Sequence, residues 1–162
     1  LIHFDAHSDT WAEDSQRIDH GTMFYHAAQQ GLISPAHSAQ IGLRTHNDSD
    51  HGFNIFDAPA VHDMKPADLA AEVKGIVGDR PCYLTFDIDV LDPPFCPHTG
   101  TPVGGGFTVQ QMLYLIKKLA YSKKIIIGFD LVEVSGAAHQ MDTIIASQLL
   151  FQLCGYGLSS QY

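Results

Sequence analysis

Two short stretches hold most of the side chains able to do chemistry: DAHSD at residues 5–9 and DIDVLD at 87–92. Asp5, His7 and Asp9 stand at alternate positions in the first, Asp87 and Asp89 in the second, with Asp92 closing it. Alternate residues of an extended segment point to one side, so each stretch can aim its ligands at a common point. Four carboxylates and an imidazole gathered there are too anionic to stand unpaired, because like charges a few ångström apart oppose ionisation. Two divalent cations would balance them, with Asp5 and Asp87, which head the two motifs, as the bridging ligands. An oxygen-rich donor set suits Mn²⁺ better than Zn²⁺. Two such ions about 3.5–4 Å apart can share a water, lower its pKa toward neutrality and hold it as a hydroxide nucleophile. Either stretch alone is commonly a solvated loop; the pair, each behind a β-rich run, points to metal-assisted hydrolysis.

Positioning these residues falls to an alternation of strands and helices. LIHF reads as a strand end, HGTMFYHAAQQGL as a helix stopped at Gly31, SAQIGLR as a second strand and GFNIFDA as a short third. PADLAAEVKGIVG has Pro66 at a helix start and Gly78 at its end. CYLTFDIDV is β-rich, FTVQQMLYLIKKLA is an amphipathic helix with Thr108 as N-cap, KIIIGFDLVEV is a strand, and a last helix runs from about Asp142 to Leu153. Near-continuous apolar strands separated by helices indicate an α/β fold, a doubly wound and mostly parallel sheet with helices on both faces. Ligands of such sheets bind beyond the carboxyl ends of the strands. Asp5, Asp87 and Glu133 each fall at such an end.

The chain has 162 residues, 45% hydrophobic and 17% charged, enough for a single domain with a real core. A net charge of −9, with Lys117, Lys118, Lys123 and Lys124 the one basic cluster, argues against nucleic acid and for a cationic small molecule. No apolar run reaches about 18 residues and no secretory leader pattern appears, so neither a membrane span nor export is expected, and the expected location is cytoplasmic. Cys82, Cys96 and Cys154 are scattered and odd in number, the pattern of buried reduced thiols. His3, His26, His37, His46, His51 and His62 lack ligand spacing and read as surface or core filling; Met23, Phe24, Tyr25, Met112, Tyr114 and Phe151 read as core.

DAHSD, DHGTMF, TFDIDVLDP with TGTPVGGG, and DLVEV occur here in the order found in the ureohydrolases, and over essentially the whole chain the sequence resembles that arginase and agmatinase family. The resemblance implies an arginase-like fold, a binuclear Mn²⁺ centre and hydrolysis of a guanidino group to urea and an amine. It assigns Asp5 and Asp87 as bridging ligands, His7 and Asp89 to one metal, and Asp9 to the other. His20 resembles the proton-transfer histidine, Glu133 the acid that grips the guanidinium, and Asp92 a structural acid of its loop; Thr101, Pro102 and glycines 104 to 106 shape the turn. The family's remaining ligand is a histidine of an upstream G-G-D-H-type motif, which these residues do not contain. With Leu1 already inside an apolar run, residues 1–162 are read as the C-terminal portion of a single ureohydrolase domain, expected to be weakly active or inactive alone.

No S-x-N signature precedes His20, and Glu13, Asp14 and Asp19 there suit an amine tail, so the expected reaction is agmatine to putrescine and urea. The alternatives are a guanidinobutyrase or other amidinohydrolase, or an inactive homologue serving as a binding or assembly subunit. The resemblance further implies a homo-oligomer, trimer or hexamer. His98 and the stretch SGAAH at 135–139 depart from the family pattern beside the expected pocket.

Overall fold

β1 (Ile2–Phe4), β2 (Ala39–Leu43), β3 (Asn54–Asp57), β4 (Cys82–Asp87) and β5 (Ile126–Val132) pair side by side in the order β3-β2-β1-β4-β5, every pair parallel. The computed structural model describes residues 1–12, 16–120 and 126–159, and side chains as far as 155; Glu13, Asp14, Lys123 and Lys124 lie outside these. β1 and β2 are buried along their whole lengths, and Phe4, Ile41, Leu84 and Phe86 form the centre of the core. Burial at successive positions, the polar His3 and Gln40 included, is what a sheet covered on both faces imposes.

From β1 the chain steps through β2 to β3 in one direction, returns across the sheet to β4 on the other side of β1, and continues to β5. The direction of winding therefore reverses between β1 and β4. Splayed connections at that point open a crevice beyond the strand ends. Asp5 follows β1 directly and Asp87 is the last residue of β4, so the reversal brings both motifs to one place.

The helices are α1 (Met23–Gln29), α2 (Ala58–Asp63), α3 (Pro66–Val77), α4 (Val109–Ala120) and α5 (Met141–Ser159). α3 packs on α4, and α4 on α5, burying Leu69, Val73, Met112, Leu115, Ile116 and Leu149. Thr108 caps α4 reciprocally: its Oγ1 accepts from Gln111 N at 3.2 Å, and Gln111 Oε1 accepts from Thr108 N at 2.8 Å. The short α2 escaped the sequence pattern because it follows β3 without a turn; the Asp57 carboxylate accepts from Ala60 N at 2.8 Å and Pro59 occupies its first turn.

Three expectations need correction. CYLTFDIDV is not strand throughout: β4 ends at Asp87 and Ile88–Val90 is a 3-10 turn. Of the residues read as core, Met112 is buried, Phe24 and Tyr25 are partly so, Met23 is exposed at the wall of the cavity described below, and Tyr114 and Phe151 are exposed on their helices. Cys82 and Cys96 are buried, but Cys154 is exposed on α5.

One guanidinium ties the loops behind the strand ends together. Arg44, just past β2, donates to the main-chain carbonyls of Gly42 (3.2 Å), Asp89 (2.6 Å), Leu91 (3.2 Å) and Val103 (2.8 Å). Its fork of five donors fits this set of oxygens, and a lysine ammonium does not. Gly106 lies against the same knot, where a Cβ would stand 2.6 Å from Asp92 N and 2.7 Å from Arg44 Nη2. Arg44→Met, which keeps length and loses every donor, is expected to destabilise the full chain by about 2–4 kcal/mol through carbonyls left unpaired. A shift of the urea midpoint to lower concentration at unchanged slope measures this; an unchanged midpoint contradicts it.

Candidate metal centre

The DAHSD segment is held by its own carboxylates. Asp5 N continues the β1 ladder by donating to Ile41 O at 3.1 Å, and the chain then turns. Asp5 Oδ1 accepts from His7 N at 2.6 Å, and Asp89 Oδ1, from the other motif, accepts from Ala6 N at 3.0 Å. Asp87 Oδ1 accepts from Asp89 N at 2.9 Å and caps the 3-10 turn. Asp9 adopts a left-handed backbone at φ 52°, a conformation that aspartate tolerates better than most residues, and its carbonyl accepts from Phe24 N at 3.0 Å. Convergence thus arises from turns pinned by carboxylates, and extended alternation, the reason given from the sequence, is not its cause.

Among the described residues two sets of ligand atoms converge within 4.8 Å, Asp5 with His7 and Asp89, and Asp5 with Asp9 and His3. Asp5 belongs to both. The His7 Nδ1 lies 3.2 Å from Asp5 Oδ1 and 3.0 Å from Asp89 Oδ2. Asp87 lines the same cavity, but its carboxylate is turned to Asp89 N and joins neither set. His3 was read as filling and needs correction. It is 1% exposed, and its Nε2 lies 2.8 Å from Asp5 Oδ2. In the sequence it is one more residue of a strand, so only its position two before Asp5, on the same side of β1, could have drawn notice.

The electrostatics are those of an anionic crevice. Burial pushes the Asp9 carboxyl up, and Asp5 raises it further. Burial, then Asp5 and Asp89, do the same to Asp87. For Asp5 burial again opposes ionisation, but His3 and then His7 outweigh it and hold the carboxyl below its usual range. Burial would lower the His7 imidazole, yet the hydrogen bonds and charges of Asp5 and Asp89 raise it to about 10.

The donor set fits divalent cations. Asp5, Asp9, Asp87 and Asp89 are all buried, and the partners of Asp5, Asp87 and Asp89 include His3, His7, Thr101, backbone N–H groups and, for Asp87 and Asp89, one another. Burying so many carboxylates together is costly without positive charge beside them. Hard oxygen donors with an imidazole form a set suited to a divalent cation.

The five proposed ligands share a cavity of about 320 Å³ with Trp11, Arg17, His20, Thr101 and Glu133. His20 is at the exposed mouth, its Nδ1 3.8 Å from Glu133 Oε1. Glu133 follows β5 in a left-handed conformation at φ 60°. Asp92 points away from the cavity, where its Oδ1 accepts from Gly105 N (2.7 Å) and Gly106 N (3.0 Å). Asp19 forms an ion pair with Arg17 at the exposed edge of the cavity.

His98 and the 135–139 stretch, separate in sequence, meet beside Glu133. The His98 carbonyl accepts from Ser135 N (3.1 Å) and Ser135 Oγ (2.6 Å). His98 N and Nδ1 lie 2.8 and 2.9 Å from Asp142 Oδ2.

The sequence and the fold recur in known proteins. The family described as Arginase family matches residues 1–155. The agmatinase of Proteus mirabilis is 55% identical over 142 residues, 88% of this chain and 45% of that protein. A hypothetical agmatinase from Burkholderia thailandensis superposes with a TM-score of 0.89 at 45% identity, over 99% of this chain and 51% of that one. Proclavaminate amidino hydrolase from Streptomyces clavuligerus gives a TM-score of 0.89 at 35% identity, over 99% and 55%. The chain spans about half the length of the curated relatives it matches.

Metal binding to this donor set should compete with protons. A ligand histidine must be neutral, and His7, with its pKa raised to about 10, carries its proton at neutral pH in the metal-free protein. Asp9 and Asp87, both shifted upward, hold protons in the same direction. Apparent Mn²⁺ affinity of the full chain is therefore expected to strengthen as pH rises from about 6 toward about 9. Loading near pH 7 should release protons, read by calorimetry in buffers of different ionisation heat; loading without proton release contradicts it.

Proposed function

The chain belongs to the arginase family, and from that premise we propose that its site hydrolyses the guanidino group of agmatine, releasing urea and putrescine. The observation that carries the reading is the sharing of one cavity by the buried carboxylate cluster, Glu133 and His20. Asp5, His7, Asp9, Asp87 and Asp89 would hold two Mn²⁺ ions, which when bound supply Lewis-acid polarisation and an activated water.

The remaining work falls to side chains. Glu133 presents a carboxylate to a planar guanidinium, a pairing that fixes orientation through two parallel hydrogen bonds. Its placement at the end of β5, beside the cluster and not within it, holds the substrate's charged group against the cavity wall. As water adds to the guanidinium carbon and the C–N bond to the chain-bearing nitrogen breaks, that nitrogen must gain a proton. His20 stands at the mouth 3.8 Å from Glu133, within reach of a guanidinium held by that carboxylate, and would supply the proton, a transfer that an imidazole suits near neutral pH. Trp11 lines the same wall, its ring 6.0 Å from His7, and offers an apolar face to the methylene tail.

Arg17, in the cavity wall and paired with Asp19, carries a second reading in which an anionic tail, as in a guanidino acid, replaces Asp19 on its guanidinium. Urea release with Mn²⁺ by the protein at the length of its relatives, with the upstream histidine motif included, compared between agmatine and 4-guanidinobutyrate, decides between them. Preference for agmatine supports the first reading; no urea from agmatine at saturating metal rejects it. Glu133→Gln should raise KM for agmatine by at least about 10-fold, the equivalent of about 1.4 kcal/mol, with Mn²⁺ uptake unchanged. Loss of metal together with activity would show that Glu133 does something other than grip the guanidinium.

A further inference from the structure

Asp5 belongs to both ligand sets, so whatever fixes its carboxylate fixes the relation between the two. Its inner contact is His3, fully enclosed by the sheet and by Phe24, whose ring meets the imidazole edge to face at 4.6 Å. By position His3 is itself a candidate ligand, since its nitrogen converges with Asp5 and Asp9. The residue behind it decides otherwise.

Gln40, on β2 and 0% exposed, lies across the sheet from His3 at the paired position. Its Nε2 is 2.6 Å from Ser8 O and 3.1 Å from His3 Nδ1. A main-chain carbonyl can only accept, so the nitrogen end of the amide must face Ser8. The second amide hydrogen then points at His3 Nδ1, which must accept. An imidazole accepting at Nδ1 carries its proton on Nε2, and that N–H is directed at Asp5 Oδ2, 2.8 Å away. Gln40 Oε1 is buried without a hydrogen-bond partner among the described residues, so the amide is oriented by its two donor contacts alone.

We propose that Gln40 and His3 are positioning residues of the metal centre: Gln40 sets the tautomer of His3, and His3 donates from Nε2 to Asp5, holding the shared carboxylate in place without itself ligating metal. A metal would need the lone pair of Nε2, and Gln40 keeps a proton there. His7 N secures the opposite oxygen of Asp5 at 2.6 Å, so the two donors fix the plane of the carboxylate. The inference rests on the reading of Asp5 as a metal ligand.

Titration of the full chain with Mn²⁺, followed by the paramagnetic resonance of the free ion, tests it on wild type, His3→Gln, His3→Phe and Gln40→Met, with circular dichroism reporting the fold. His3→Gln keeps an N–H donor near the Nε2 position and should bind Mn²⁺ within about 3-fold of wild type. His3→Phe keeps the ring and loses the donor, and should bind about 10- to 100-fold more weakly, the range for removing a partner that orients a ligand. Gln40→Met keeps volume and frees the tautomer, and should weaken binding with His3 intact; it decides the matter should His3→Phe fail to fold. Wild-type affinity in Gln40→Met or in a folded His3→Phe overturns the proposal. So does a His3→Gln as weak as His3→Phe, because a ligating histidine would behave that way. Failure of the wild type to take up Mn²⁺ instead refutes the metal-centre reading itself.

Discussion

Concentrated negative charge in a place with little water is the constraint on which this structure depends. Four aspartates of two loops are buried at the reversal of the sheet, and nearly every local feature answers to that fact. Asp5, Asp87 and Asp89 accept backbone N–H groups of their own or the facing motif, which lowers the cost of bringing them together and also builds the turns. The same bonds that ease burial therefore set the geometry. The hydrophobic sheet supplies rigid strand ends, and the topology supplies adjacency; neither would aim the carboxylates without these local bonds.

The sheet was legible because its strands are rich in apolar and β-branched residues and its helices carry ordinary boundary signals such as Pro66, Gly78 and Thr108. A parallel sheet then forces acids that follow β1 and β4 to the same edge. Less legible was the exact end of each strand. Asp5–Asp9 and Ile88–Val90 keep the alternation of strand residues but lie in turns beyond the strand ends, because a carboxylate two residues from an N–H can replace a ladder bond with a local one. α2 was missed for a related reason: Asp57 ends a strand and caps a helix at one position.

Partners that act across the sheet left no trace in spacing. His3, Gln40 and Arg44 are distant from one another in the chain or hidden in strand patterns, and their roles depend on which strands are neighbours. His3 meets Gln40 because β1 pairs with β2 in a register that sets these two side by side. His98 and Ser135 likewise lie on separate loops whose meeting depends on β5 sitting next to β4. A departure from a family pattern at one of these positions is, in three dimensions, a departure at both.

Arg44 bonds to main-chain oxygens of the loops it joins, so it recognises their path and is indifferent to their side chains. Gly42 and Gly106 are constrained by lack of room, but the side chains of Leu91 and Val103 take no part in these bonds. Loops fixed in this manner can exchange residues facing a pocket without moving the residues that face the metal. Such an arrangement lets one scaffold explore different substrate tails while its reactive centre stays still.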